Sequence, residues 1–449
     1  MMREAPFSLL PKPPRMDLAG RVVLVLGLGD TGLSVARWVQ RNGGTPRVAD
    51  TRADPPGKTR FSGDFRSGAF TQDLLAGVDA VCISPGLSLS QPVILAAVEQ
   101  GIPVLGDVEL FAWQNKQKVL AITGTNGKTT VTALTGHLLR SAGMDCEVAG
   151  NIGPAVLDAL MKRSAPPAVW VLELSSYQLE TTWSLKPHAA AVLNLTEDHL
   201  DRYASLEEYA AAKARIFEGA GVQVLNRDDP RVLAMARPGI RCITFGLGTQ
   251  GDWTIRDGAL ARAGAPVFDV ASLPIHGAHN AANALAACAL ASTLDVPLEA
   301  MVRGLSTFRG LPHRMQLIGT RAGVEWYDDS KGTNVGATIA ALRGLAKPAI
   351  LILGGEGKGQ DFSPLVPVVA RFARITLLIG RDAFRIERAL NGLRTERCAT
   401  LEEAVERAAA HARPGEAVLL SPACASFDMF RDYKQRGEAF AAAFRSLPS

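Results

Sequence analysis

The sequence predicts an α/β protein of three domains, in which two Rossmann-like domains flank a central P-loop ATPase-like domain. The chain has 449 residues, and domains of roughly 150 residues would divide it into three. Apolar runs of strand length alternate with helical patterns, as in sheets of largely parallel strands. Glycine-rich loops follow two of these runs. We expect the domains to cover residues 1–107, 108–310 and 311–449.

Composition narrows the class of protein. Hydrophobic residues make up 47% and charged residues 20% of the chain, which is ordinary for a globular enzyme. The net charge of +4 is too small to indicate a nucleic-acid partner. The six cysteines are scattered without C-x-x-C pairs, so neither a disulfide framework nor a zinc site is indicated, and they fit a reducing cytoplasm. The charge-poor stretch 270–294 predicts a buried helix and no membrane span.

The first glycine loop follows the apolar run 21–26. Gly27, Gly29 and Gly32 precede a helical pattern, which is the strand-turn-helix setting of G-x-G-x-x-G. The next strand ends at Asp50, where a Rossmann domain places an acid that reaches a ribose. This pattern fits a nucleotide-binding domain, such as that of a dehydrogenase, or a doubly wound domain whose glycines serve only packing.

The second glycine loop follows the apolar run 119–123 and leads into a helix, which is the setting of a phosphate-binding loop. It consists of Gly124, Thr125, Asn126, Gly127, Lys128, Thr129 and Thr130. Backbone amides and the helix dipole would face one anion, with Lys128 on the β/γ-phosphates and Thr129 on Mg²⁺. Strict Walker A spacing requires glycine where this chain has Ile122, so the loop is a variant. We predict ATP binding; the alternative is a glycine-rich turn that binds nothing.

Downstream polar residues have two interpretations each. Glu173 ends an apolar strand, either as a Walker B carboxylate for Mg²⁺ or as an ordinary strand end. His199 lies among three acids, as a second-metal ligand or in a solvated helix cap. Lys213 lies in an alanine-rich amphipathic helix, where a lysine is most often a surface group. Asn280 and Asn283 share one helix face, and fit either an adenine edge or a simple helix start.

The last third of the chain contains four apolar runs, at 324–327, 349–353, 375–379 and 417–420. They alternate with helical patterns and predict another largely parallel sheet. Polar loops follow the four runs, at 328–334, 354–359, 380–382 and 421–427. Because such sheets bind ligands at the carboxyl ends of their strands, we expect these loops to surround a site for anionic groups.

Five motifs together resemble the Mur ligase family, the ATP-dependent amino-acid ligases of bacterial cell-wall precursor synthesis. They are GTNGKTT at 124–130, ELSSYQLE at 173–180, NLTEDHLDRY at 194–203, GAHNAAN at 277–283 and LPHRM at 311–315. Segments 50–52, 84–86, 329–334 and 421–428 are similar to the branch of the family that adds D-glutamate to UDP-N-acetylmuramoyl-L-alanine. The resemblance implies that this reaction proceeds through an acyl phosphate, with ATP as co-substrate and two Mg²⁺ ions.

The resemblance also implies a role for each matching residue. The catalytic residues would be Lys128, Glu173, His199, Lys213 and Lys331. ATP would contact residues 124–130 together with Asn280, Asn283, Arg314 and Asp329. Mg²⁺ would bind Thr129, Glu173, His199 and Lys213, the last as a carbamate. The UDP-linked substrate, and not NAD, would contact Asp30, Thr31, Thr51, Arg52, Ser84 and Asn151. D-glutamate would contact Thr333, Lys358, Ser426, Phe427 and Tyr433.

Some features depart from the family, and rival functions follow from parts of the pattern. Gly332 replaces a common alanine, Tyr433 stands where phenylalanine is usual, and the N-terminal extension, residues 1–15, is longer than typical. We expect a cytoplasmic monomer whose partners are small-molecule substrates.

Three rival functions would each account for part of the pattern. An oxidoreductase would leave the P-loop and Glu173 unexplained. The segments 50–52 and 84–86, which the resemblance places on the UDP-linked substrate, argue against a ligase that adds glutamate to folate. A binding module without turnover would not need the metal and lysine positions.

Overall fold

The fold consists of three parallel-dominated sheets that follow one another along the chain, each packed with helices, and it confirms the predicted α/β class. The computed structural model describes residues 10–199, 202–275, 277–345 and 347–448. Leu200 and Asp201 of the NLTEDHLDRY motif and His276 of the charge-poor stretch lie outside these residues, as does the first part of the predicted N-terminal extension.

The first sheet has five parallel strands in the order β3-β2-β1-β4-β5. The strands are β1 (Val22–Leu26), β2 (Thr45–Asp50), β3 (Asp64–Ser67), β4 (Ala80–Ile83) and β5 (Val104–Leu105). The helices are α1 (Asp30–Arg41), α2 (Pro92–Glu99) and α3 (Asp107–Gln114). A Cβ on Gly32 would lie 1.8 Å from the Gly27 carbonyl oxygen, so the first glycine loop can turn this tightly only with glycine at position 32.

The second sheet has nine strands in the order β14-β13-β12-β11-β10-β9-β6-β8-β7. The strands are β6 (Lys118–Thr123), β7 (Cys146–Gly150), β8 (Val169–Glu173), β9 (Ala189–Val192), β10 (Val222–Asn226), β11 (Arg241–Phe245), β12 (Trp253–Arg256), β13 (Ala259–Arg262) and β14 (Ala265–Asp269). The helices are α4 (Lys128–Ser141), α5 (Val156–Lys162), α6 (Ser176–Glu180), α7 (Leu206–Ala214), α8 (Pro230–Leu233), α9 (Ala278–Ser292) and α10 (Leu298–Thr307). Strand β13 pairs antiparallel with β12 and β14, which the sequence analysis did not predict.

The third sheet has six strands in the order β15-β16-β20-β17-β18-β19. The strands are β15 (Gln316–Arg321), β16 (Val324–Asp328), β17 (Ala349–Gly354), β18 (Ala373–Ile379), β19 (Thr395–Arg397) and β20 (Ala417–Leu420). The helices are α11 (Val335–Leu345), α12 (Val366–Phe372), α13 (Ala383–Ala389), α14 (Leu401–His411) and α15 (Tyr433–Ser446). The four predicted runs form the parallel strands β16, β17, β18 and β20, and the sequence analysis missed the two edge strands.

The first and second sheets share one hydrophobic core, whereas the third has core clusters of its own on its two faces. Phe111 of α3 packs edge-on against Trp170 of β8, with ring centroids 5.0 Å apart. The domain limits at 107/108 and 310/311 stay predictions, and the first falls at the start of α3 inside this shared core. The buried helix predicted within 270–294 is α9, which spans only Ala278–Ser292. Among the described residues, no helix is long and apolar enough to span a membrane.

Candidate active site

The loop between β6 and α4 has the backbone geometry of a phosphate loop. Gly124 and Gly127 have φ angles of +152° and +83°, which glycine adopts far more readily than other residues. A Cβ on Gly127 would lie 2.4 Å from Oδ1 of Asn283, so α9 packs directly onto the loop. Lys128 donates through Nζ to the carbonyl oxygens of Gly124 and Thr125, at 2.8 and 2.7 Å, and burial lowers the pKa of its ammonium. The lysine therefore lies over the cradle that its own loop forms.

Glu173, at the end of β8, offers a buried carboxylate beside this loop. Glu173 is 1% exposed; Oε1 accepts a hydrogen bond from Nδ2 of Asn151 at 2.7 Å, and Oε2 has no hydrogen-bond partner among the residues that the structure describes. A buried carboxylate oxygen without a donor suits Mg²⁺, which prefers hard oxygen ligands. No group of three His, Cys, Asp or Glu side chains converges on a metal position within the described chain.

Lys213 is not the surface lysine that the helical pattern favoured. It is 1% exposed, donates through Nζ to the Gly124 carbonyl oxygen at 2.9 Å, and lies 4.4 Å from the centroid of the Tyr209 ring. Burial, with repulsion from Lys128, lowers the pKa of its amine well below the usual value. The sequence pattern of α7 does not show which element packs against each side of the helix. In the structure, the side that carries Lys213 faces the phosphate loop and not solvent.

His199 lies in the loop after β9 and lines the same cavity as Glu173 and Lys213. Burial lowers the pKa of its imidazole to about 4, so the ring is neutral at neutral pH, which is the form that binds metals. Its backbone is left-handed, with a φ of +57°. The helix-cap interpretation of the sequence does not fit, because His199 lies in a loop ahead of α7, which begins at Leu206.

Loops of the third sheet complete the site from the opposite side. Arg314 donates through Nη2 to the Thr129 hydroxyl of the phosphate loop. Asp329 accepts hydrogen bonds from the Ser421 hydroxyl at 2.7 Å and the Met315 amide at 3.2 Å, and burial raises the pKa of its carboxyl to about 7. These contacts connect the carboxyl ends of β16 and β20 with the start of α4.

Lys331 lies where the cavities of the site meet. Its Nζ is 3.9 Å from the centroid of the Tyr433 ring, a cation–π contact, and burial lowers the pKa of its ammonium to about 8. Lys331 lines three cavities: one beside Asn280 and Asn283, one around the phosphate loop, and one beside the first glycine loop.

Every predicted site residue except Gly124 lines at least one of these cavities, and Gly124 belongs to the phosphate loop beside them. The cavity beside the first glycine loop, of about 820 Å³, is lined by Asp30, Thr31, Thr51, Arg52, Ser84 and Asn151. The phosphate-loop cavity is lined by Thr333, Lys358, Ser426, Phe427 and Tyr433. The third cavity is lined by Thr130, Asn280, Asn283, Arg314 and Asp329. Phe427 is a large hydrophobic side chain that is 68% exposed.

Two neighbours of the predicted residues join the site although the sequence analysis gave them no role. Asn334 donates through Nδ2 to Asn126 Oδ1 at 3.1 Å and to Asp198 Oδ2 at 3.2 Å. It therefore connects the third sheet with the phosphate loop and with the loop of His199. The only signal in the sequence was their position, since Asn334 ends a loop already singled out and Asp198 precedes His199.

Both carboxylate oxygens of Asp50 accept hydrogen bonds from other groups of the protein. Its carboxylate accepts hydrogen bonds from the Leu28 amide at 2.7 Å and from the Arg52 guanidinium at 2.9 and 2.8 Å, and the residue is 2% exposed. The acid at the end of β2 therefore braces the first glycine loop. This removes the ribose contact on which the dehydrogenase interpretation depended.

Family models match three segments that together cover most of the chain. The Mur ligase MurD-like N-terminal domain matches residues 21–106, the Mur ligase middle domain residues 122–291, and the Mur ligase glutamate ligase domain residues 313–424. The chain belongs to the Mur ligase family. The prediction from the five motifs is thereby confirmed, and the protein is an ATP-dependent Mur ligase.

Individual relatives align with this Mur ligase over nearly its whole length. The UDP-N-acetylmuramoylalanine–D-glutamate ligase of Nitrosospira multiformis is 52% identical, covering 96% of this chain and 97% of the relative. The protein of the same name from Thiobacillus denitrificans is 53% identical, covering 96% and 98%. Among solved structures, the UDP-N-acetylmuramate–alanine ligase MurC of Thermotoga maritima has a TM-score of 0.64 at 20% identity, covering 95% of this chain and 99% of that one. MurF from Acinetobacter baumannii has a TM-score of 0.62 at 20% identity, covering 98% and 93%.

Proposed function

We propose that this Mur ligase joins D-glutamate to UDP-N-acetylmuramoyl-L-alanine, with conversion of ATP to ADP and phosphate, in the cytoplasmic synthesis of peptidoglycan precursors. Relatives 52% and 53% identical over nearly the whole chain carry the name of this reaction. The observation that carries the proposal is the position of Lys331, which lines all three cavities. A single ammonium there can reach groups of a nucleotide, a UDP-linked substrate and an amino acid.

ATP would bind with its phosphates on the loop 124–130 and its adenosine in the cavity of Asn280, Asn283, Arg314 and Asp329. Lys128 would neutralise the β/γ-phosphates. Two Mg²⁺ ions would be held by Thr129, Glu173, His199 and carbamylated Lys213. When bound, Mg²⁺ would neutralise charge on the transferring phosphoryl group.

The reaction would take place in two steps. The alanyl carboxylate, a poor acylating group, attacks the γ-phosphorus of ATP; its new P–O bond replaces the bond to ADP and gives an acyl phosphate. The neutral amine of D-glutamate then attacks the acyl carbon to give a tetrahedral intermediate. The C–O bond to phosphate breaks, inorganic phosphate leaves, and the amine proton passes to the phosphate or to water as the amide forms. Lys331, as an ammonium, would stabilise the negative charge that develops on the oxygen of the tetrahedral intermediate.

The two remaining substrates would approach from different sheets. Asp30, Thr31, Thr51, Arg52, Ser84 and Asn151 would bind the UDP-linked substrate. Thr333, Lys358, Ser426, Phe427 and Tyr433 would bind D-glutamate, and the exposed Phe427 ring would become covered only when the amino acid binds. We assign the UDP-linked substrate mainly to domain 1–107, D-glutamate to domain 311–449 and ATP mainly to domain 108–310. Asn151 of the central domain would join the UDP side, and Arg314 and Asp329 of the last domain would join the ATP side. We propose that the enzyme acts as a monomer.

The carbamate on Lys213 would place a negative charge beside the phosphate loop. A carbamate forms when a neutral amine attacks CO₂, with loss of a proton. Burial favours the neutral amine of Lys213, because its pKa is lowered well below the usual value. The product carries a carboxylate in place of the amine, which suits a residue that lies beside the proposed metal positions.

The test is phosphate release from ATP in the presence of UDP-N-acetylmuramoyl-L-alanine, with D-glutamate compared with L-glutamate, D-alanine and meso-diaminopimelate. Release with D-glutamate alone would support the proposal. Release with a different amino acid would overturn the substrate assignment. No release with any of them would overturn the proposed reaction, and NADH binding or folate-dependent ADP formation would then identify the rival enzyme.

A further inference from the structure

Arg202 lies between the loop of the UDP-linked-substrate cavity and the loop of His199. Its side chain is 11% exposed, and Nη1 donates to the carbonyl oxygen of Pro85 at 3.1 Å. Pro85 belongs to the segment 84–87 that lines the cavity beside the first glycine loop. Nη2 of the same guanidinium donates to Oε2 of Glu180 at 2.8 Å, and Cζ lies 4.1 Å from the centroid of the Tyr177 ring.

Glu180, the last residue of α6, is the anchor of this arrangement. It is 3% exposed, and its second oxygen, Oε1, accepts the hydroxyl of Tyr203 at 2.6 Å. The backbone amides of Arg202 and Tyr203 both donate to the carbonyl oxygen of His199, at 2.9 and 3.1 Å. The side chains of Arg202 and Tyr203 therefore bind the Glu180 carboxylate. The backbone amides of the same two residues bind the carbonyl oxygen of His199.

We propose that Arg202 is a positioning residue of the ligase reaction, fixing the substrate loop 84–87 relative to the His199 loop through Glu180; this proposal rests on the proposed function. The alanyl carboxylate must meet the γ-phosphoryl group in line, and a misplacement of about 1 Å can cost roughly 100-fold in rate. The Pro85 carbonyl belongs to the substrate-side loop, and His199 lines the phosphate-loop cavity. Arg202 contacts both, Pro85 through its side chain and His199 through its backbone amide.

Arginine suits this place better than lysine. Its planar fork donates from two nitrogens in fixed directions while its face stacks on an aromatic ring, whereas a lysine ammonium is a point charge. In Arg202, one nitrogen donates to the Pro85 carbonyl, the other donates to Glu180, and the guanidinium stacks on the Tyr177 ring. Arg202→Lys should therefore keep the charge opposite Glu180 and lose the contact with the Pro85 carbonyl.

The experiment compares Arg202→Ala, Arg202→Lys and Glu180→Gln with the unchanged enzyme. Kd for UDP-N-acetylmuramoyl-L-alanine is measured alone by calorimetry, and KM for each substrate is measured by phosphate release. We expect Arg202→Ala to weaken binding of the UDP-linked substrate and to lower kcat by about tenfold or more, since hydrogen bonds of charged groups are lost. KM for ATP should stay within roughly twofold, and Arg202→Lys and Glu180→Gln should be intermediate.

Arg163→Ala is the matched control, because Arg163 pairs with Asp145 and Glu147 on the same sheet and lines none of the three cavities. It should change no kinetic constant. The proposal is overturned if Arg202→Ala leaves the UDP-linked substrate unaffected, or if it weakens ATP and the UDP-linked substrate equally. If Arg202→Ala does not fold, Arg202→Lys and Glu180→Gln decide by the same criterion. Kd for the UDP-linked substrate is measured without an amino acid, so it tests the role of Arg202 even if the D-glutamate assignment is wrong.

Discussion

Asn151 donates through Nδ2 to Oε1 of Glu173 at 2.7 Å, and its backbone amide donates to the Glu173 carbonyl oxygen at 2.8 Å. The contact follows from the parallel pairing of β7 and β8, in which Gly150 lies opposite Glu173. Asn151 lines both the UDP-side cavity and the phosphate-loop cavity. One amide side chain thus connects the proposed substrate site to the proposed metal ligand.

We predict that Asn151→Ala weakens the apparent affinity for Mg²⁺ and for the UDP-linked substrate together, each by roughly tenfold or more. The substitution removes a substrate contact and leaves both Glu173 oxygens without a donor. The measurements are a Mg²⁺ titration of phosphate release and KM for UDP-N-acetylmuramoyl-L-alanine. Asn115→Ala is the control, since Asn115 closes only a local turn at Gln117. A change in one affinity without the other would contradict the connection.

Gly127→Ala should abolish ATP binding while leaving binding of the UDP-linked substrate intact. Position 127 has a φ of +83°, and an added Cβ would lie 2.4 Å from Asn283 Oδ1. Gly143→Ala is a close control: φ there is +76°, but among the described residues no atom beyond the adjoining ones lies within 4 Å of the added Cβ. The control should lose only about 1 kcal/mol of stability from backbone strain and bind ATP normally. Equal loss of ATP binding in both variants would show that strain alone, and not the contact with α9, matters.

We predict that kcat/KM falls as the pH rises through about 8, because the Lys331 ammonium, whose pKa burial lowers to about 8, is protonated below that pH and neutral above it. The Tyr433 ring favours the charged form, so Tyr433→Leu should move the falling limb to lower pH, and Tyr433→Phe should not. The D-glutamate amine titrates with the opposite effect on rate, since its neutral form reacts. Lys331→Arg is the control. A falling limb near pH 8 in this variant would assign it to another group.

The sequence predicted the parallel strands and the loops at their carboxyl ends, because period and turn residues are local signals. It missed features that depend on contacts between distant segments. Asn334 and Asn126 are 208 positions apart and hydrogen-bonded, and no local pattern indicates such a pair. The direction in which Lys213 points depends likewise on the packing of α7. The resemblance to the family supplied that lysine and the ligand assignments, whereas the hydrogen bonds of Asp50 became clear only in the structure.

Asp107 should make stability depend on pH. Its carboxyl is 2% exposed, with Gln178 Nε2 at 3.5 Å from both oxygens, and burial raises its pKa to about 6. A raised folded-state pKa gives stability that is fully present at low pH and lost as the pH rises from about 4 through 6. Asp107→Asn cannot ionise, so relative to the unchanged protein it should gain on the order of 1–3 kcal/mol between pH 4 and 7.5. Thermal melts at both pH values, with the exposed Asp54→Asn as baseline, test this; a constant difference would contradict it.

Lys213→Ala tests the carbamate. The substitution removes the group that contacts the Gly124 carbonyl, and with it the carboxylate that the carbamate would supply to the metal. We expect activity to fall by roughly 10- to 100-fold or more and to recover partly when short carboxylic acids are added, because they can occupy the vacated volume and supply the missing carboxylate. Lys128→Ala serves as the control and should not respond to the acids, since it lacks an ammonium and not a carboxylate. Full activity of Lys213→Ala without added acids would rule out the carbamate role.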